Sequence, residues 1–150
     1  LPATSRMERA LAEAEAAGAR GEVPVGAVLV GPEGEVLARD GNRILELADP
    51  TAHAEMLVLR RAAAAVGAPR LVGCELWVTL EPCPMCAYAV SLARLRRLYF
   101  AAADPKAGGV ENGPRIFASS SCHHRPEVYG GIGEARAALL LRDFFRERRP

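Results

Sequence analysis

Apolar and polar positions alternate in two distinct periods along the chain. From Ser5 the spacing is helical: Ser5 and Glu8 read as a capping box, Met7, Leu11 and Ala14 share a face, and Gly18 or Gly21 supplies the stop. Val25-Gly26-Ala27-Val28-Leu29-Val30 is a continuous β-prone run, the pattern of a strand buried on both faces. Pro32 to Glu35 reads as a turn, and Val36-Leu37-Ala38 returns as an antiparallel partner. After a loop through Asn42 and Asp49-Pro50, a helix is expected from Thr51 to Val66, with Gly67 ending it and Pro69 following.

The second half repeats the alternation of strand and helix. Leu76 to Leu80 is a third strand, Met85 to Leu95 a helix, and Leu98 to Ala101 a fourth strand. Residues 103–121 are rich in Gly, Pro and Ser and predict a long functional loop. Glu127 to Tyr129 reads as a short fifth strand and Glu134 to Arg148 as a terminal helix. Such an order predicts an α/β fold with helices on both faces of a mixed sheet.

Composition narrows the class. At 150 residues, half of them hydrophobic and a quarter charged, the chain suits one globular domain, expected to span residues 7–150. Residues 1–6 precede the first Met and are expected to be disordered or a processing remnant. No apolar run reaches 18 residues and no basic-then-apolar leader is visible, so the expectation is a cytoplasmic protein that does not engage a membrane. Four cysteines without a leader argue against a disulfide framework, and Cys74 reads as a buried, inert thiol.

A net charge of +1 excludes an indiscriminate polycation, but the basic residues are grouped. Arg94, Arg96, Arg97 and Lys106 form one group, and Arg142, Arg146, Arg148 and Arg149 another. If the two converge they can hold a phosphate backbone; charge alone fits solvated helix ends equally well.

Two short motifs carry chemistry: His53-Ala54-Glu55 and Pro82-Cys83-Pro84-Met85-Cys86. Each is expected at the start of a helix, where the partial positive charge favours thiolate over thiol. Cys83 and Cys86 bracket one turn, so both sulfurs can reach one zinc ion together with the His53 imidazole. Three ligands leave a fourth position open for water, the catalytic pattern; Cys74, Cys122, His123 and His124 are the residues that would close it. Zinc lowers the pKa of a bound water to about 7, and Glu55 is placed to take its proton and pass it to a leaving group.

These motifs match the zinc-deaminase signature H-x-E…P-C-x-x-C. The chain more narrowly resembles the bacterial tRNA-specific adenosine deaminase family. The resemblance runs from about Met7 to the end and includes Glu22 to Val28, Asp49 to Glu55, Val78 to Cys83, Asp104-Pro105-Lys106, His124 to Val128 and Phe144-Phe145. It implies a three-layer αβα fold with a five-stranded mixed sheet, a homodimer, one zinc per chain, and conversion of adenosine to inosine at the wobble position of a tRNA anticodon stem-loop. It also implies a base contact from Asn42, pocket walls from Val23, Val25 and the backbone near Ala54, and anticodon contacts from Asp104 and Lys106. The same resemblance puts Phe144, Phe145 and the tail to Arg149 near the bound RNA, although two aromatics there also read as core anchors. Ala103, Tyr88 and His123 depart from the family pattern. Three rivals remain: a guanine or other free-base deaminase with the same zinc site, a zinc-containing RNA-binding scaffold, and a redox dithiol protein using Cys83 and Cys86.

Overall fold

Five strands and four helices are formed by the residues described, 3–148, in the computed structural model. In chain order they are α1 (Ala3–Ala19), β1 (Gly26–Val30), β2 (Val36–Gly41), α2 (Ala54–Val66), β3 (Glu75–Leu80), α3 (Pro84–Leu92), β4 (Arg97–Ala102), β5 (Glu127–Gly130) and α4 (Glu134–Glu147). The sheet order is β2-β1-β3-β4-β5. β1 is antiparallel to both neighbours, whereas β4 runs parallel to β3 and to β5.

The two faces of the sheet bury separate sets of side chains, as the period of two requires. Ala27, Leu29, Leu76, Val78, Leu98 and Phe100 pack with Val58 and Ala62 of α2 and with Ala87 and Val90 of α3. On the opposite face Val28, Val30, Trp77 and Ala101 meet Met7, Ala10 and Leu11 of α1 and Ala137 of α4. The result is the αβα sandwich that the alternating pattern predicts. α1 lies at backbone distance from β1, because a Cβ at Gly26 would drive into the Ala10 carbonyl and the Ala14 amide. None of the helices described is long and apolar enough to cross a membrane.

Several boundaries differ from the sequence reading, each for a local reason. α1 begins at Ala3, so Ser5 sits inside the helix and does not cap it. Residues 3–6 therefore belong to the folded unit, and Leu1 and Pro2 lie outside the described residues. Arg6 anchors this first turn, its guanidinium 2.7 Å from Glu75 and 6.0 Å from the centre of the Trp77 ring. β2 runs on through Arg39 and Asp40 to Gly41; the buried Asp40 is tolerated because Arg43 Nε donates to it at 2.9 Å and Arg61 approaches to 2.7 Å. α3 ends at Leu92 and not at Leu95, because Arg94 adopts a left-handed φ of 60° and turns the chain so that Leu95 enters the core.

α2 starts at Ala54, three residues later than expected. Asp49 Oδ1 accepts from both the Thr51 N–H and the Thr51 hydroxyl at 2.8 Å, an Asx turn that holds the backbone out of helix. His53 becomes the residue that flanks the first turn, with φ −70° and ψ 150°.

Candidate metal centre and active site

The alternation of strand and helix brings two helix N-termini together, and each presents the side chain of its flanking residue. Neither His53 nor Cys83 makes a side-chain capping bond, so both side chains are free to point off the helix ends. Pro84 at the first position of α3 pre-sets the turn after Cys83. Cys86 follows in that first turn and is fully buried.

The three donors converge. His53 Nδ1 lies 3.7 Å from Cys83 Sγ and 3.6 Å from Cys86 Sγ, and all three ligand atoms fall within 4.8 Å of one another. A tetrahedral zinc with bonds of about 2.3 Å to sulfur and 2.0 Å to nitrogen sets its ligands about 3.5 Å apart. The donor set thus has both the chemistry and the spacing of a zinc site. Among the described residues it is the one cluster of this kind. Three of the four residues considered for a fourth position point elsewhere. Cys122 bonds the His124 carbonyl and faces Ser91, His124 Nε2 meets the Leu95 carbonyl at 2.6 Å, and Cys74 is buried in the core as a free thiol. None of the four cysteines is in a disulfide.

Electrostatics favour a thiolate at Cys83. Cys83 is pulled down to about 4 because Cys86 donates to it; burial opposes this, and His53 adds a second favourable contact. Cys86 is pushed up by its contact with Cys83 and by burial. His53 is raised by its contact with Cys83, against the cost of burial.

Glu55 lies one residue beyond Ala54 in the first turn of α2 and is only 4% exposed. Burial pushes its carboxyl up to about 7, while its own backbone N–H and the nearby His53 pull the other way. A group with that value exchanges protons readily near neutral pH.

Asn42 follows β2 and is buried. Its Oδ1 accepts the Ala54 N–H at 2.8 Å, so Asn42 caps α2 in place of His53. Its own N–H donates to the Val25 carbonyl at 3.1 Å. Val25 and Ala54 are buried in the core, whereas Val23 is half-buried and lines an open groove. Asn42→Ala strands the buried Ala54 amide, at about 1–3 kcal/mol. Urea unfolding is expected to show a lower midpoint by that amount, at unchanged slope.

The groove has a volume of about 1000 Å³ and separates the 103–107 segment from α4. Lys106 faces Arg142, Arg146 and Arg148 across it, with Leu80, Leu141 and Phe145 forming an apolar floor and wall. The two basic groups seen in the sequence therefore converge only in part. Arg97 is at the start of β4, paired with Glu75 at 3.0 Å and Glu127 at 3.3 Å, and takes no part in the groove. Arg149 lies outside the described residues.

The two aromatics of α4 also separate. Phe145 is 48% exposed and lines the groove, whereas Phe144 faces a smaller hollow beside Glu15, Gly18 and Pro24 and carries the Arg148 guanidinium 3.6 Å above its ring. Neither is a core anchor, because α4 buries only Ala137 fully. Of the departures from the family pattern, Ala103 lines the groove and Tyr88 donates to the Ser121 carbonyl at 3.4 Å.

One residue escaped assignment in the sequence. Glu81, 2% exposed, precedes the metal-ligand turn and accepts hydrogen bonds from the 104–112 segment. Burial works to raise its carboxyl, but the Asp104 amide and the Asn112 side chain and amide hold it below the usual carboxylate range. The available signal was a glutamate directly ahead of Pro-Cys-x-x-Cys, next to a Gly-rich loop with many amides to satisfy.

This fold and this donor set define the class of zinc-dependent deaminases. The family model described as the cytidine and deoxycytidylate deaminase zinc-binding region matches residues 3–102. A tRNA-specific adenosine deaminase of Agrobacterium fabrum is 58% identical over 97% of this chain and 95% of that protein. A solved structure from work on A-to-I editing by tRNA:A34 deaminases at the wobble position of transfer RNA is 57% identical, with TM-score 0.90, over 92% of this chain and 99% of that one. A guanine deaminase from Nitrosomonas europaea is 26% identical with TM-score 0.78, over 95% and 84%. The chain belongs to the tRNA-specific adenosine deaminase family, within the cytidine and deoxycytidylate deaminase superfamily.

Proposed function

We propose that this chain hydrolyses the wobble adenosine of a tRNA anticodon to inosine, releasing ammonia. The observation that carries the reading is the convergence of His53, Cys83 and Cys86, with the buried Glu55 two residues beyond His53 in the first turn of α2. The basic groove of Lys106, Arg142, Arg146 and Arg148 supports an RNA in place of a free base. The relatives named for tRNA editing support the same assignment.

In this reading His53, Cys83 and Cys86 hold one zinc, which supplies Lewis acidity that makes water nucleophilic near neutral pH. Glu55 takes a proton from the attacking water as its oxygen bonds to C6 of adenine. The carboxyl then returns that proton to the amino group as the C6–N bond breaks, so ammonia leaves and the base keeps the oxygen. Asn42 fixes the first turn of α2, and through it both His53 and Glu55, while offering its amide to the base. Val23, Val25 and the backbone at Ala54 wall the base. Asp104, Lys106 and Phe145 meet the anticodon loop, whose target base must be splayed out of its stack to be reached, while Phe144 is turned away from the groove.

The catalytic domain spans residues 7–150 extended back through the first turn of α1, acts in the cytoplasm, and pairs with a second copy. Tyr88 and Leu92, exposed one turn apart on α3, support such an interface. A guanine deaminase is the second reading, favoured by the likeness to the Nitrosomonas enzyme.

Mass spectrometry after incubation of zinc-quantified protein with an ACG-anticodon stem-loop, beside free guanine, adenine and cytosine, separates the two. Inosine at the wobble position supports the proposal; xanthine from guanine with untouched RNA overturns it. RNA affinity is also expected to be salt-dependent, with log K falling by about 0.7 per phosphate contact per unit of log salt. Measured by fluorescence anisotropy, Lys106→Ala and Arg146→Ala should each flatten that slope by about 0.7. Unchanged slopes would remove the groove from the RNA path.

A further inference from the structure

We infer that Glu81 is a positioning residue that seats the RNA-facing 104–112 segment against the metal-ligand turn, and so governs substrate affinity more than the chemical step. The inference rests on the reading of the groove as the RNA site.

The carboxylate has five donors, all from this segment. Oε1 accepts from the Asp104 N–H at 3.0 Å and from Asn112 Nδ2 at 2.7 Å. Oε2 accepts from the backbone N–H groups of Val110 at 3.1 Å, Glu111 at 2.9 Å and Asn112 at 3.0 Å. Asp104 Oδ1 is itself taken by the N–H groups of Lys106 and Ala107.

The segment reaches this position because two glycines let backbone meet backbone. A Cβ on Gly109 would sit 2.5 Å from the Pro84 nitrogen and 2.9 Å from the Cys83 carbonyl carbon, and one on Gly108 would sit 2.5 Å from Glu81 Oε2. The Gly109 N–H donates to the Pro82 carbonyl at 2.8 Å, so the loop is fastened to the backbone directly ahead of the Cys83 ligand. Asp104, Lys106 and Ala107, at the front of the same segment, line the groove. One buried carboxylate therefore links the turn that carries a metal ligand to the loop that faces RNA.

The carboxylate cannot be replaced by an amide without conflict. Either orientation of a glutamine aims an NH₂ donor at amides that are themselves donors, leaving two or three of them unmatched. The charge that draws all five donors inward is lost as well.

The test compares wild type, Glu81→Gln and Asn112→Ala, each zinc-quantified, on the anticodon stem-loop. Glu81→Gln is expected to keep one zinc per chain, to raise KM tenfold or more, and to change kcat less than threefold. Amide hydrogen exchange should accelerate at residues 104 and 110–112 while the helices stay protected. Asn112→Ala removes one donor alone and should raise KM about threefold, which carries the test should Glu81→Gln fail to fold. An unchanged KM in the variants overturns the inference, as does a zinc loss that accounts for the whole defect. Wild-type protein that turns over free guanine and not RNA sinks the functional reading instead, and the exchange rates then judge the loop-seating role by themselves.

Discussion

Glu55→Gln is expected to leave zinc at one per chain and to cut kcat by about 10³-fold, equivalent to about 4 kcal/mol of transition-state stabilisation. The physical reason lies in where the carboxyl sits. Burial raises it to about 7, so both protonation states are accessible at neutral pH and the group can accept and return a proton within one turnover. Glutamine has nearly the same volume and keeps the polar contacts of the first turn of α2, but it cannot carry the proton. The His53, Cys83 and Cys86 donors are untouched, so metal content separates lost chemistry from lost site. Single-turnover kinetics with the stem-loop, beside metal analysis, provide the measurement. A Glu55→Gln protein within tenfold of wild type would remove Glu55 from the proton path.

Cys86→Ala should lose the metal, the activity and a large part of the stability together. Cys86 is the most buried of the three donors, and its removal leaves His53 and Cys83 with two ligand positions unfilled. Ligand binding at a thousand times its dissociation constant stabilises a fold by about 4 kcal/mol, and that contribution disappears with the site. For a chain of this length the melting temperature is expected to fall by about 10 °C. Chelator treatment distinguishes cause from coincidence. Wild type should drop toward the variant when zinc is stripped, and the variant should not respond. Full zinc occupancy in Cys86→Ala would refute the ligand assignment, and a reversible Cys83–Cys86 disulfide in metal-free wild type with no zinc affinity would favour the redox reading.

Much of this site was legible along the chain because its motifs are local. Cys83 and Cys86 are brought together by a single helical turn, and His53 and Glu55 by another, so spacing alone predicts that each pair acts at one place. The groove was not legible in the same way. Arg97 and Lys106 are near in sequence, yet Arg97 begins β4 and is spent on Glu75 and Glu127, while Lys106 lies past the other end of that strand. Phe144 and Phe145 are adjacent, and a helix turns neighbouring side chains about 100° apart, so one faces the groove and the other does not. The end of α3 was missed because a non-glycine residue, Arg94, takes the left-handed conformation that composition assigns to glycine.

What the sequence by itself determined was the alternation of strands and helices, the αβα layering, and the zinc-deaminase donor set. These follow from periodicity and short-range spacing, which depend on the backbone geometry of single elements. Only the tertiary structure decided that Asn42 caps α2 so that His53 stays free, that Lys106 meets the α4 arginines, and that Glu81 gathers five donors from a loop some thirty residues away. Those contacts form between segments far apart in the chain. A hydrogen bond at such range is set by how the layers pack, and nothing in the local pattern encodes which distant amide will arrive.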